Sequence, residues 1–145
     1  MRWLLAWLLV VAVPTPASSQ SPVDRAAEVV AQALAEGIVA RDAGAVAVLC
    51  ALPVNIDGEV VTSVDELERR WLTVLERPEV RGLRLLEVEV VRMVTAVERY
   101  GPPPVRLGEL PVEDALVAIL RFDRAQVTAV LARREGRWAI VAVTD

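Results

Sequence analysis

The side chains that could do chemistry in this chain are acids and arginines. The 145-residue sequence has 20 acidic and 16 basic residues, all of the latter arginine, with no histidine and one cysteine, Cys50. Without histidine, the Ser-His-Asp and Cys-His arrangements, the usual zinc sites and the commonest general base near neutral pH are excluded. We therefore expect no metal and no cofactor, and we interpret Cys50 as a small buried residue.

Two arginines interrupt apolar strand patterns and are candidate ligand-binding residues. Arg92 alternates with Val88 and Val90, and Arg121 shares a predicted strand face with Ile119. A cation on an apolar face needs a partner or water. Each arginine therefore either binds an anionic ligand in a pocket or pairs with an acid near the strand end. The candidate acids are Glu87, Glu89 and Asp123.

One further acid, Asp57, and one tyrosine complete the candidate set. Asp57 precedes Gly58 and is explained as a turn residue, although it could serve as a base in a pocket. Glu87 and Glu89 share a strand face, where paired carboxylates either do acid–base work or are solvated. Tyr100 either donates a hydrogen bond in a pocket or packs beside a proline-rich loop. We predict no catalytic residues and a weak ligand site formed by Arg92, Arg121, Tyr100 and Asp57.

The charge pattern argues against nucleic acid as a partner. The formal net charge is −4, whereas a phosphate-binding surface needs clustered positive charge. The arginine doublets at 69–70 and 133–134 each lie near acidic residues. We expect no nucleic-acid partner.

The first half of the chain is dominated by helix signals. Ser21 and Pro22 are typical of an N-cap and a first helical residue, and apolar residues then recur at helical spacing to Ile38. Asp42 can cap a second, short helix that runs to about Cys50. The sequence therefore predicts two consecutive helices.

A hairpin and a third helix follow. Asp57-Gly58 between two apolar runs predicts a two-residue hairpin turn. Ser63 and Glu66 form a capping box, and the helix that it opens is ended by Pro78.

The second half of the chain is typical of strands, rich in Val, Leu and Ile. A proline-rich loop at 101–111 separates the first strand from the rest. The predicted strands are Leu83–Val97, Ala115–Phe122, Val127–Ala132 and Trp138–Val143.

The last hairpin can be registered if Glu135-Gly136 is its turn. Trp138 then faces Arg133, Ile140 faces Leu131, Ala142 faces Ala129, and Val141 and Val143 lie on the opposite face. Both faces are apolar, so the second face must be covered. We predict that a second copy covers it, which makes the protein a homodimer.

The N-terminus has the order of a secretory signal peptide: a short positive start, an unbroken apolar run over 3–13, then prolines and small residues. The run is about half of the roughly 20 residues that a membrane-spanning helix needs. We predict that residues 1–19 are removed between Ser19 and Gln20, with cleavage after Ala17 as the alternative. The mature domain, 20–145, is then secreted or periplasmic without a stable membrane anchor; a retained leader would be an anchor.

The order of helices, hairpin and long strands resembles the nuclear transport factor 2-like superfamily, which includes ketosteroid isomerases, scytalone dehydratase and polyketide cyclases. The resemblance rests on four short segments: Ala40–Ala43, Asp57-Gly58, Ser63–Leu67 and Arg134–Val141. The resemblance implies an α+β, cystatin-like fold in which a curved antiparallel sheet wraps around the N-terminal helices as a cone. It also implies an internal pocket in many members and frequent dimers, but no single function.

Three functions are consistent with the sequence. The first is an exported, non-catalytic domain that binds a small apolar or weakly anionic ligand, or a protein partner. The second is an isomerase, dehydratase or cyclase that uses Asp57, Glu87 or Glu89 as a base. The third is a structural homodimerisation module.

Removal of the leader predicts a defined mass. Intact-mass spectrometry of protein from the exported fraction should give the species that begins at Gln20. A mature species that retains the tryptophans at positions 3 and 7 would contradict the signal-peptide interpretation.

Overall fold

The computed structural model describes residues 22–111 and 113–145. The predicted signal peptide, its cleavage site and the Ser21 cap lie outside these residues. The helices are α1 (Pro22–Ala40), α2 (Ala43–Ala47), α3 (Val64–Leu75) and α4 (Met93–Tyr100). The strands are β1 (Cys50–Ile56), β2 (Glu59–Val61), β3 (Leu85–Arg92), β4 (Leu116–Phe122), β5 (Gln126–Arg134) and β6 (Arg137–Thr144). Short 3₁₀ turns lie at Pro78–Val80 and Val105–Leu107.

The predicted caps at Asp42 and Ser63 are confirmed, although α2 ends at Ala47 and Cys50 begins β1 instead of ending the helix. The Asp42 side chain accepts a hydrogen bond from the backbone N–H of Ala45 at 3.0 Å. The Ser63 hydroxyl accepts one from the backbone N–H of Glu66 at 3.3 Å. Each bond satisfies one of the free N–H groups of a helix start.

The predicted Asp57-Gly58 turn is also confirmed. Ile56 pairs with Glu59, which leaves two residues in the loop. Asp57 and Gly58 both have positive φ, at 53° and 95°, as the hairpin turns that match strand twist require. The Asn55 amide oxygen accepts a hydrogen bond from the Gly58 N–H at 2.8 Å and fixes the turn further.

The six strands form one sheet in the order β2-β1-β6-β5-β4-β3. Neighbouring strands are antiparallel except for β1 and β6, which run parallel. The first and last strands of the chain therefore meet in the sheet interior. The architecture is α+β, as predicted.

The strand predicted over Leu83–Val97 is only partly correct, because it ends at Arg92 and α4 begins at Met93. Met93 and Ala96 are buried, whereas Val94 and Val97 are exposed. This alternation of buried and exposed residues has helical spacing. A strand was predicted because the segment is rich in valine. Gly101, at φ 86°, ends the helix.

The first face of the sheet packs against α1, α2 and α3 and forms the larger core. Trp71 of α3 lies at its centre, 2% exposed. Alanines 27, 31 and 35 follow one stripe of α1 at four-residue spacing. Gly37 lets α1 and α2 approach closely, since a Cβ there would lie 2.6 Å from the Val46 side chain.

The second face of the sheet is covered from within the chain. Met93 and Ala96 of α4, Leu107 and Ala115 form a second core with the sheet residues of this face. Those sheet residues are Val117, Ile119, Val130, Ala132, Val141 and Ala142. The prediction that both faces are apolar was therefore correct, and the cover is intramolecular.

The predicted register of the last hairpin holds near the turn and shifts further along. Trp138 pairs with Arg133 and Ile140 with Leu131, as predicted, but Ala142 pairs with Val130 because of a bulge between Val130 and Leu131. The bulge moves Ala142 to the second face and Val143 to the first. Trp138 packs on the first core but is only half-buried.

The predicted homodimer loses its original support, because Val130 and Val141 are 2% and 8% exposed within one chain. A dimer stays a prediction, and it would need a surface other than this covered face.

Aspartate at Val130 should therefore destabilise the single chain rather than separate two subunits. An unpaired charge buried in the second core is expected to lower the free energy of unfolding by at least about 3 kcal/mol. Urea unfolding measures this, with Val60→Asp as the control, because Val60 is 60% exposed and its substitution should change stability by only about 0.5 kcal/mol. If Val130→Asp instead left stability intact and converted a dimer to monomers, the intramolecular cover would be disproved.

Candidate functional site

A cavity of about 510 Å³ lies at one end of the first face. The ends of β1 and β6, the start of β5 and the segment before β3 form its floor, and α3 and the 3₁₀ turn at 78–80 form its wall. The cavity thus lies where the helical layer and the sheet edge diverge.

Most of the cavity lining is apolar. Trp71, Val74 and Leu75 project from α3, because positions three and four apart share a helix face. The other apolar lining residues are Ile38, Ile56, Val80, Leu83, Ala125, Val127 and Val143. Such a wall favours an apolar molecule.

The polar lining is concentrated in a few residues. They are Asp57, Arg70, Arg77, Glu79, Thr144 and Asp145. Asp57 and Thr144 come from the sheet ends, whereas Arg70 lies on α3 and Arg77 lies two residues beyond its end. Polar groups of this kind orient a ligand whose body is apolar.

Asp57 is held in a hydrogen-bonded network at this rim. Its Oδ1 accepts the Thr144 hydroxyl at 3.1 Å and lies 3.4 Å from Arg106 Nε. The same Nε donates to Thr144 Oγ1 at 3.0 Å, and Arg106 Nη2 lies 3.7 Å from Asp145 Oδ1. The two rim aspartates therefore share one guanidinium.

Arg70 has a different environment on the other side of the cavity. Its Nη1 binds Glu59 Oε2 at 2.8 Å, and the side chain is 26% exposed. Its Nε is shielded from solvent and has no hydrogen-bond partner among the described residues. One N–H of this guanidinium is therefore unsatisfied, which is costly for a buried donor.

Arg121, Tyr100, Glu87 and Glu89 come together, but away from the cavity. Arg121 Nη1 binds Glu87 Oε2 at 2.6 Å, and Nη2 binds Glu89 Oε2 at 3.1 Å. Tyr100 accepts from Arg121 Nη2 at 3.3 Å and donates to Glu89 at 3.4 Å. Hydrogen bonds from the arginine to Glu87 and then Glu89 raise the arginine pKa above its ordinary value.

This cluster lies on the second face, at the C-terminal end of α4. Arg99 of α4 also binds Glu89, at 3.0 Å. The cluster thus connects the C-terminal end of α4 to β3 and β4. Arg121 therefore pairs with acids near the strand end, which was the second of the two predicted alternatives. Both of these carboxylates form ion pairs with it.

Asp123, the third candidate partner of Arg121, binds elsewhere. The backbone N–H of Arg84 donates to it at 3.1 Å, and this bond and the Arg84 guanidinium hold its pKa below the usual range.

Arg92 lies far from the cavity. It pairs with Leu116 at one end of the β3–β4 ladder, whereas Leu85 and Phe122 pair at the cavity end. At about 3.3 Å per residue, the two ends are roughly 20 Å apart. Arg92 is also exposed. Of the four predicted ligand-binding residues, Asp57 alone lines the cavity.

The sequence reading missed Arg70, Arg77 and Thr144. A signal for the two arginines was present, because Arg70, Val74 and Arg77 follow one another at helical spacing beside the core position Trp71. Nothing in the sequence brought the end of β6 to the Asp57 turn, since this depends on the parallel pairing of β1 with β6.

Cys50 is half-buried beside α2, and burial raises the pKa of its thiol to about 11. The sulfur donates a weak hydrogen bond to the Val46 carbonyl at 3.7 Å. The nearby Trp71 indole N–H favours the thiolate but makes no well-aligned hydrogen bond. A thiol with this pKa stays protonated at neutral pH, so it is a poor nucleophile.

In residues 22–111 and 113–145, no three metal-binding side chains gather into a site. None of the helices in these ranges has the length and apolar character of a membrane span.

No protein-family model and no curated protein sequence matches the chain. Solved structures do match. A domain of unknown function with a cystatin-like fold, from Nostoc punctiforme, has a TM-score of 0.53 and 10% identity over 86% of this chain and 76% of that chain. A predicted ketosteroid isomerase from Shewanella frigidimarina has a TM-score of 0.52 and 20% identity over 84% and 95%.

A predicted dehydratase of the nuclear transport factor 2-like family, from Streptomyces avermitilis, has a TM-score of 0.50 and 13% identity over 82% of this chain and 91% of that chain. At such identities the similarity establishes the fold and not the activity. The chain has the cystatin-like α+β fold of the nuclear transport factor 2-like proteins.

Proposed function

We propose that this chain is an exported, non-catalytic domain that binds a small apolar molecule in the cavity beside α3. The observation that carries the proposal is the cavity itself, about 510 Å³ with a mainly apolar lining. This is within the 300–1,000 Å³ typical of small-molecule sites. The leader-like sequence of residues 1–19 supports the exported location.

The polar groups at the rim support binding over catalysis. An acid–base enzyme needs a carboxylate free to accept a proton and a donor opposite it. Asp57 Oδ1 already faces the Thr144 hydroxyl and Arg106. Glu87 and Glu89, the other candidate bases, are bound to Arg121 on the second face.

The size of the cavity favours ligand binding over a purely structural role. Its lining includes Val74, Val80 and Val127, which are partly exposed, and burying this apolar surface against a ligand is favourable. The cavity lies between α3 and the sheet, so a ligand there would contact both layers.

A second candidate function is an isomerase or dehydratase with Asp57 as the base. The observation in its favour is that Asp57 lines the cavity. Two of the structures with this fold are a predicted ketosteroid isomerase and a predicted dehydratase. The two functions differ in what neutralising Asp57 does.

A cavity-filling variant tests the binding function. Val127 lines the cavity from β5, and Val127→Phe should reduce its volume and weaken the binding of the neutral apolar dye Nile red at least about tenfold, or 1.4 kcal/mol. Fluorescence titration gives the dissociation constant. Val60→Phe is the matched control, because Val60 is an exposed strand residue outside the cavity.

Thermal unfolding of both variants shows whether the enlarged side chain has only disturbed the fold. If a folded Val127→Phe protein bound the dye as tightly as wild type, the cavity would not be the binding site.

Asp57→Asn separates binding from catalysis. Asparagine tolerates positive φ and can still accept the Thr144 hydrogen bond, so we expect unchanged folding, dye affinity within about twofold of wild type, and no turnover of a β,γ-unsaturated ketosteroid by either protein. Absorbance of the conjugated enone measures turnover. Glu87→Gln is the control on the opposite face. Turnover by wild type that vanished in Asp57→Asn alone would establish the enzyme.

A further inference from the structure

Arg70 and Arg77 are the two cations that line the cavity. Both project from the α3 side, next to Trp71 and Val74, so positive charge and apolar surface are adjacent there. The acids of the opposite rim, Asp57 and Asp145, share Arg106. On one side of the cavity the acids are already paired with Arg106. On the other side the arginines have hydrogen-bond donors without a partner among the described residues.

The hydrogen-bond capacity of Arg70 is largely unused. A guanidinium has five N–H donors, and among the described residues Arg70 binds only Glu59, through Nη1. Its Nε is buried without a partner. Among the same residues, Arg77 has no ion-pair partner. Arg77 is exposed, so water solvates its guanidinium, and the donor that lacks an acceptor is the buried Nε of Arg70.

A carboxylate is the acceptor that suits this arrangement. Its two oxygens match the planar fork of a guanidinium, and the charge makes each hydrogen bond stronger than a neutral one. Because Glu59 occupies only Nη1 among the described residues, other N–H groups of Arg70 remain for a carboxylate in the cavity. A ligand ammonium group would instead meet two aspartates that Arg106 already occupies.

Glu79 is the remaining acid of the lining. It is exposed at the 3₁₀ turn, where water and salt screen its charge. It therefore opposes an anionic ligand less than a buried carboxylate would.

We infer that the cavity selects an apolar molecule with a single carboxylate, with Arg70 and Arg77 holding the carboxylate and the wall formed by Trp71, Val74 and Val127 holding the apolar body. The inference rests on the proposed binding function and adds the ligand class and the residues that determine it. Arg70 is the specificity-determining residue, and Arg77 adds charge at the rim.

Calorimetric titration with a matched pair of compounds tests the inference. Cyclohexanepropionate and cyclohexanepropionamide have nearly the same shape and differ in charge. Wild type should bind the acid at least about tenfold more tightly than the amide, since a charge-assisted hydrogen bond contributes more than a neutral one. Arg70→Gln should remove this preference by weakening the acid about tenfold while leaving the amide almost unchanged.

Arg69→Gln is the matched control. Arg69 is the neighbouring arginine on α3, but it is exposed, bonds the backbone of Asp65 and does not line the cavity. Arg70→Lys is a second variant that keeps the charge without the planar fork, and it should retain only part of the preference. Thermal unfolding confirms that each variant is folded.

Equal affinity of wild type for acid and amide would overturn the inference, and so would equal effects of Arg69→Gln and Arg70→Gln. In either case, Nile red binding that Val127→Phe abolishes would leave the proposed binding function standing. If neither the compounds nor the dye bound, both proposals would fail together.

Discussion

The structure depends on a sheet that is apolar on both faces. A sheet of this kind is unstable unless each face is shielded from water, since apolar area contributes about 25 cal/mol per Å² when it is buried. Helices α1, α2 and α3 shield the first face, and α4 with Leu107, Leu110 and Ala115 shields the second. The chain thus provides a three-layer arrangement in which β4, β5 and β6 are the buried middle.

The cavity lies where the helices that shield the first face of the sheet come to an end. Helix α3 stops at Leu75, and the chain crosses back to the sheet through the 3₁₀ turn at 78–80. Apolar side chains from the helix, the turn and the sheet, such as Leu75, Val80 and Val143, line the cavity there. The strand ends bring their own polar groups to the same place, because hydrogen bonding in the β-ladder ends and the turn at Asp57 begins. An apolar cavity with a polar rim is the result.

Sequence pattern predicted the local structure well and the long-range placement less well. The caps at Asp42 and Ser63 and the Asp57-Gly58 turn each depend on residues within a few positions, and all three are present. The α4 helix was not predicted because its valine-rich sequence fits both the helical and the strand spacing of apolar residues. Only packing against the second face of the sheet decides between the two. The bulge near Leu131 could not be predicted either, since it changes the register without a distinctive residue.

In the candidate site too, residue type was a poorer guide to function than the position that the fold gives each residue. Arg121 was a reasonable pocket cation by type, but the register of β3 and β4 puts Glu87 opposite it and Glu89 two residues further along. The resulting cluster anchors the end of α4, through Arg99 and Tyr100, over the second face. Arg70, by contrast, is unremarkable by type and lies in a capped amphipathic helix. Its placement, one residue before the buried Trp71, directs it to the cavity wall. The number of partner acids within reach, two for Arg121 and one for Arg70, therefore sets how many guanidinium donors remain for a ligand.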